Sequence, residues 1–410
     1  MTPKATTVLP NRALRNALFS ASALSAAPPG DPLSTISATA GATWVHETLR
    51  RLAYVQVDSI AAVERAHHHI LFTRNRRYRH ADLKRALEVD RTAFESWTHS
   101  HAVLPIESFP YWKHYFARAR TFEAHPGYRR YFAPVTDRLR RRALEAIRER
   151  GPLRPRDIAT EKVEWHDAYF AKPSLAKLTL EYLWRVGELA VTAREGQEKV
   201  YDLAAKVVPP EHHERTVSRA EFVDWACTRA LERLVAATPS HLARFFDAVP
   251  LGEVRAWCRE HAGGRVRDVA VKCADGTVVG GMVALAPVLD RLDAFPDPPR
   301  ELRVLSPFDP LVHDRGGRRT ERIFGFDFRM EIWVPPSRRI YGYYVLPVVE
   351  GRRFVGRVDV KHERGEGALR VPGLWWEPGL SATPRRVAAL RGRLLELARF
   401  VGAEEVVGLP

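Results

Sequence analysis

The 410-residue chain is poor in cysteine: Cys227, Cys258 and Cys273 are its only three. An odd, scattered set excludes a disulfide framework and a four-cysteine zinc site, and it fits a reducing cytoplasm. No apolar run approaches the roughly 18 residues a membrane helix needs, so no helix is expected to span a bilayer. Lysine is scarce as well, ten of the 64 basic residues, the other 54 being arginine. Three signatures are missing altogether: a glycine-rich phosphate loop ending in Lys-Ser/Thr, a Cys-x-x-Cys pair, and a Gly-x-Ser-x-Gly elbow. Their absence argues against P-loop nucleotide hydrolysis and elbow-type serine hydrolysis.

Positive charge is abundant. Against the 64 basic residues stand 49 acidic ones, a net charge of +15, and a polyanion is the natural partner for such an excess. The arginine bias also matches what a GC-rich genome would encode, so the charge supports nucleic acid as partner without establishing it. Apolar residues at 45% and charged residues at 28% describe a folded chain, long enough for about two to four domains.

Three times the chain reads as helix, turn, helix and then something strand-like. In the first pass, Leu14, Leu18, Ala21 and Leu24 share a helical face within 11–25, ended by Pro28-Pro29-Gly30. A second pattern starts at Thr43 with Trp44, Leu49 and Leu52. The stretch Leu14–Ala27 also has some features of an export signal, but Ser20, Ser22 and Ser25 break its apolar part, and an amphipathic helix is the better reading. In the second pass, a basic helix over 137–150 stops at Gly151-Pro152 and a short one follows over 154–159. Ser174 then caps a helix that ends at Gly187, before an alternating hairpin over 189–203. In the third, Ser218 and Glu221 form a capping box, short helices follow near 239–246 and 250–261, and a hairpin turns at Asp275-Gly276.

Helix pair plus hairpin is the winged helix-turn-helix pattern; the rival is a helical bundle with incidental hairpins. Past Pro296-Asp297-Pro298-Pro299 come β-type runs at 340–346, 354–360 and 369–371, then a helix over 383–401. The expected fold is therefore α+β: tandem winged helix-turn-helix units followed by a C-terminal β-barrel-like domain with a terminal helix. The expected domains are 1–135, 136–215, 216–296 and 297–410.

Two features carry candidate chemistry. His67-His68-His69 invites a metal reading, but consecutive side chains diverge on a helix or a strand. A polar segment facing solvent or phosphate is preferred, and no metal or other cofactor is expected. In Val55-Gln56-Val57-Asp58-Ser59-Ile60, apolar and polar residues alternate. If the segment is extended, Gln56 and Asp58 share a face and set an amide beside a carboxylate; otherwise they are two polar residues at a helix exit.

Four blocks then give the chain a resemblance. They are Leu52–Ile60 with Leu71-Phe72-Thr73-Arg74 behind it; Glu95-Ser96-Trp97-Thr98-His99; Leu305–Arg315, which contains Ser306-Pro307-Phe308-Asp309-Pro310; and Tyr341-Gly342-Tyr343-Tyr344-Val345-Leu346-Pro347. In order and separation the sequence resembles the winged helix-turn-helix DNA glycosylases of the YcaQ/AlkZ type, over nearly its whole length. These enzymes excise alkylated purines and unhook interstrand crosslinks. The catalytic signature of that family is Gln-x-Gln in one branch and Gln-x-Asp in the other. Gln56 and Asp58 match the Gln-x-Asp, YcaQ-like branch, which implies action on alkylated guanines, crosslinks included.

The resemblance implies a bacterial DNA-repair enzyme in the cytoplasm, associated with the nucleoid. It would act as a monomer on double-stranded DNA carrying alkylated purines or crosslinks. Asp58 would stabilise the sugar cation and Gln56 would hold the attacking water. No lysine lies between Lys4 and Lys84, so this segment has no amine for a Schiff base, and a monofunctional enzyme leaving an abasic site is expected. Arg74, Arg76 and Arg77 form a basic run suited to DNA backbone contacts, and His99 is a candidate phosphate or sugar contact. Trp97 is expected in the core, and Asp309, Asp314 and Arg315 in ion pairs or loop fixing. A crosslink is difficult to flip into a deep pocket, so an open site with hairpins as wedges is expected. The rival functions are a non-enzymatic tandem winged-helix transcriptional regulator and, more weakly, a metal-dependent nuclease using the histidines.

Overall fold

The computed structural model describes residues 7–28, 39–122, 127–158, 173–312 and 318–409. The chain forms two compact units, one of residues 1–82 and 226–410, the other of residues 83–225. These units cut across the four consecutive segments expected from sequence.

The reason lies at the N-terminus of the first unit. Strand Thr7–Leu9 pairs in parallel with Val266–Lys272, more than 250 residues away in sequence, and completes a four-stranded sheet with Val278–Leu285 and Ala236–Ala237. The hairpin turns at Asp275-Gly276 as expected. Asp275 Oδ1 accepts the Thr277 N–H at 3.0 Å, and Gly276 takes φ +86°, which a side chain would resist. Helix Asn11–Ala21 buries Leu14, Ala17, Leu18 and Phe19 in one core with Val269, Val271 and Met282. Asn11 and Arg15 tie it to the carbonyl of Ile323 at 2.9 and 2.8 Å. The segment that resembled an export signal is thus core here.

The same unit carries a five-stranded sheet in the order Leu302–Val304, Val345–Glu350, Arg353–Glu363, Ala368–Trp376, Glu405–Val407. Its pairs are antiparallel except the last, which is parallel. The sheet is open, not a closed barrel, because its two edge strands do not pair with each other. Helix Pro384–Val401 packs against it with Leu390, Leu394 and Leu397 buried, capped by Thr383 and stopped by Gly402 in the left-handed region. The run 340–346 becomes strand only from Val345, since the backbone N–H groups of Ile340, Tyr341 and Gly342 go to the Glu331 carboxylate instead of a neighbouring strand.

In the second unit, hairpin Ala93–Trp97 with His101–Pro105 precedes helix Phe109–Thr121. Helix Asp137–Arg150 ends at Gly151, as the sequence suggested, and starts at a Thr136 cap that the sequence reading did not single out. A 3-10 turn covers Pro155–Asp157, while Ala159 lies outside the described residues. Ser174 caps helix Leu175–Arg185, and hairpin Leu189–Glu195 with Glu198–Leu203 follows. Gly187, at φ +78°, sits where a Cβ would come within 2.4 Å of the Phe116 ring, so helix exit and packing both require glycine. Ser218 and Glu221 form the expected reciprocal cap, at 2.7 and 3.2 Å. Trp97 is only half-buried, with the Arg185 guanidinium 3.6 Å above its ring.

Each unit holds a buried neutral imidazole. His69 packs against Val304 and is lowered to about 4, chiefly by burial. His101 is also lowered to about 4, first by burial and then by the Lys199 charge, although Glu95 opposes this from 2.7 Å. Unfolding restores the ordinary value of 6.5, so the unfolded chain binds more protons between these limits. The stabilisation is full above pH 6.5 and is lost as pH falls toward 4. Thermal unfolding followed by circular dichroism is expected to show a falling midpoint over that window, and His101→Gln is expected to flatten the slope.

Candidate active site

The Gln56 segment begins with backbone strain. Helix Ala42–Leu52 ends at Ala53, a non-glycine residue held at φ 68°, ψ −36°. Such a conformation costs on the order of 1–3 kcal/mol and persists only where the surroundings enforce it. The turn redirects the chain into the two-residue strand Val55–Gln56. The extended stretch is shorter than the sequence alternation suggested, because Asp58 Oδ1 accepts the Ile60 N–H at 2.8 Å and bends the chain.

Gln56 is buried and lines a cavity of about 90 Å³. Asp58 is not part of that lining; it is half-buried and makes no ion pair among the described residues. Tyr54 forms one wall, its hydroxyl donating to the Phe245 carbonyl at 3.3 Å and its ring edge-on to Phe245 at 5.4 Å. Phe308 and Pro310 form another, and Arg233, Arg244, Arg319 and His241 supply polar groups. No aspartate, glutamate or lysine is among the described lining residues. The sequence did not point to the three arginines or His241, which lie about 180 to 260 residues from Gln56. Tyr54 and Phe308, by contrast, fall inside the recognised blocks.

The Ser306–Leu311 turn explains how Phe308 and Pro310 reach the cavity. Ser306 Oγ accepts the Phe308 N–H at 3.2 Å and Asp309 Oδ1 accepts the Leu311 N–H at 3.0 Å. With Phe308 and Pro310 facing the cavity, the Asp309 carboxylate between them points inward and is fully buried. There it meets Arg74, whose Nη2 donates to Asp309 Oδ1 at 3.0 Å and whose Nη1 donates to Oδ2. Arg74 also donates to the Ser22 carbonyl from Nε at 3.0 Å and Nη2 at 2.8 Å.

This corrects one expectation. With a side chain only 2% exposed, Arg74 is a buried structural cation and cannot reach a phosphate. Asp309 takes the ion-pair role expected of it, while Asp314 and Arg315 lie outside the described residues. Arg76 is exposed and pairs with Glu301 and, at 3.1 Å, Glu396; Arg77 is exposed, with its backbone N–H on Asn75 Oδ1. His99 belongs to the other unit, in the turn between Trp97 and His101, partly exposed and with Nδ1 3.3 Å from Thr98 Oγ1.

The histidine triplet is also corrected. It lies in helix Ala66–Arg74, where His67 and His69 are buried, so it is no solvent-facing or phosphate-facing segment. His68 Nδ1 sits 2.6 Å from the Tyr78 hydroxyl and its ring 4.0 Å from that of His80; burial first, then His67 and His80, hold it well below the usual histidine range. Among the described residues no group of three His, Cys, Asp or Glu side chains is placed to hold a metal ion.

A sequence model of the AlkZ-like DNA glycosylase family matches residues 49–400. The fold is similar to that of the Streptomyces sahachiroi DNA glycosylase AlkZ, with a TM-score of 0.59 at 16% identity, over 98% of this chain and 99% of that one. No helix among the described residues is long and apolar enough to cross a membrane.

Removing one member of a buried ion pair leaves the other charge uncompensated, at about 3–5 kcal/mol. Arg74→Ala is expected to lose that much in urea unfolding, and Arg77→Ala to stay within about 0.5 kcal/mol of wild type.

Proposed function

The chain belongs to the AlkZ-like DNA glycosylase family, and from that premise we propose that it hydrolyses the N-glycosidic bond of alkylated, cationic purines in double-stranded DNA. N7-alkylguanine and interstrand crosslinks are the substrates in this reading, and the product is an abasic site in an unbroken strand. The observation that carries it is the Gln56–Asp58 segment: a strained turn delivers one side chain to the cavity, and the next polar one keeps a carboxylate outside any ion pair among the described residues.

Alkylation at N7 leaves a positive charge on guanine, so the leaving group needs no general acid. What remains is to steady an oxocarbenium-like sugar and deliver water, as in glycoside hydrolysis. Asp58 does the first. A unit charge about 4 Å away at an effective dielectric of about 20 contributes about 4 kcal/mol, roughly a thousandfold in rate if specific to the transition state. Gln56 orients the water through its amide.

Three guanidinium groups line the cavity. Arg233 is paired with Glu232 at 3.1 Å and Arg319 donates to the Leu234 carbonyl, so these groups are held in place; in this reading a cationic base gains nothing among them and the lesion stays at the mouth, with the strand running past the arginines. This supports an open site in place of deep base extrusion. Arg76, Arg77 and His99 are assigned to DNA backbone contacts, with Arg74 no longer among them. The helix-and-hairpin segments over 137–203 and 219–285 are taken as winged helices that hold the duplex. The lack of lysine in the described lining supports monofunctional chemistry. The protein is read as a monomer acting at the bacterial nucleoid.

Duplex DNA with one N7-methylguanine, incubated with protein and then cleaved by alkali, tests this. Wild type is expected to release the base without a nick before alkali. Asp58→Asn is expected to lose about a thousandfold in single-turnover rate at unchanged DNA affinity. An Asp58→Asn rate within tenfold of wild type overturns the assignment. Wild-type inertness toward every alkylated purine overturns the function.

A further inference from the structure

The loop that joins helix Arg319–Phe324 to strand Val345–Glu350 carries the two most exposed large apolar side chains among the described residues. Trp333 is 86% exposed and Ile340 74%. Tryptophan is usually packed, and one left in water on an ordered loop asks for a partner.

The loop is ordered by its own hydrogen bonds. Glu331 is buried, and its carboxylate accepts the N–H groups of Ile340 at 3.0 Å, Tyr341 at 2.8 Å and Gly342 at 3.0 Å. Its carbonyl accepts the Val334 N–H at 2.9 Å, and the Val334 carbonyl accepts Arg339 Nε at 2.9 Å. Both limbs of the loop are therefore clamped at Glu331, with Trp333 and Ile340 outside the clamp. Pro335 and Pro336 stiffen the tip. Arginines stand on both flanks: Arg329, its side chain 79% exposed, has Nε 3.6 Å from Asp327 Oδ1, Arg338 is exposed, and Arg339 lies over the Tyr343 ring at 5.0 Å. The loop runs directly into Tyr344, which is buried and feels the charge of Asp58.

We propose that Trp333, backed by Ile340 and flanked by Arg329 and Arg338, is a wedge that stacks on a nucleobase unstacked beside the lesion. The inference rests on the glycosylase reading and assigns a residue to the opening of the duplex. Exposed aromatic surface with arginines around it matches a base stack between phosphates, and duplex DNA is the partner that the glycosylase reading supplies. A preformed loop pays little ordering entropy on insertion, so the stacking is retained as rate.

The test uses duplexes with one N7-methylguanine and 2-aminopurine at each flanking position in turn, on either strand, with wild type, Trp333→Ala and Trp333→Phe. Thermal unfolding of the variants is expected to match wild type, since the side chain is exposed. Wild type is expected to quench 2-aminopurine at one position, Trp333→Phe in part, and Trp333→Ala not at all. Single-turnover base release by Trp333→Ala is expected to be about tenfold slower, and the deficit to vanish when the nucleotide opposite the lesion is abasic and the stack already open. Quenching by Trp333→Ala equal to wild type at every position overturns the wedge, as does an equal deficit on both duplexes. If wild type releases no base, the glycosylase reading fails, while the 2-aminopurine signal still decides whether Trp333 stacks on DNA.

Discussion

The candidate active site depends on a buried ion pair that takes no part in its chemistry. Arg74 and Asp309 are 235 residues apart and both withdrawn from water. Two charges in that setting are tolerated only with near-complete hydrogen bonding, and they have it: the guanidinium reaches the Ile70 and Ser22 carbonyls as well as the carboxylate, and the carboxylate also takes the Leu311 N–H. Because Asp309 must point inward to meet Arg74, its neighbours Phe308 and Pro310 point toward the cavity. Ser22 lines that cavity as well. One electrostatic requirement thus fixes the end of the first helix, the end of the histidine-bearing helix and the aromatic wall beside Gln56.

The site also separates its charges. Cations line the cavity, and the Asp58 carboxylate, which accepts the Ile60 N–H and makes no ion pair among the described residues, lies outside that lining. On the proposed substrate, with an anionic backbone and a cationic base, the two kinds of charge would be presented to different parts of the nucleotide. The turn at Ala53 and the bend at Ile60 achieve this over a few residues. A longer regular strand would have kept Gln56 and Asp58 on one face and brought the carboxylate in among the guanidinium groups, where ion pairing would neutralise it.

Much of this was legible in the sequence wherever the signal is local. Ser174 and Ser218 cap their helices because the cap is chemistry within three residues, and Asp275-Gly276 makes its hairpin for the same reason. The pairing of Thr7–Leu9 with Val266–Lys272 was not legible, since three residues carry no periodicity. Arg74 is instructive. Its run looked like a basic surface, yet it follows Ile70 by four and Leu71 by three, both buried, so helical phase already turned it inward. What the phase could not supply was the partner, and a buried arginine without a visible carboxylate reads as exposed. His67 and His69 were misread in the same way, because their helix is buried on more than one face.

Glu331 shows why β-type sequence near the site did not become sheet. Ile340, Tyr341 and Tyr343 have strand propensity, but propensity expresses itself only when backbone N–H groups find carbonyls on a neighbouring strand. Here a single carboxylate collects three successive N–H groups, a charge-assisted arrangement that competes well with a ladder edge. Gly342, at φ +140°, allows the backbone to close over Asp359, where a Cβ would come within 2.2 Å of the Asp359 carboxylate. The strand therefore starts at Val345 and the residues before it form a rigid projection. A strand would have been straight, paired and partly covered. The carboxylate makes the same residues a fixed, exposed tip that ends beside Tyr344, and the exposure of Trp333 follows from how Glu331 is satisfied.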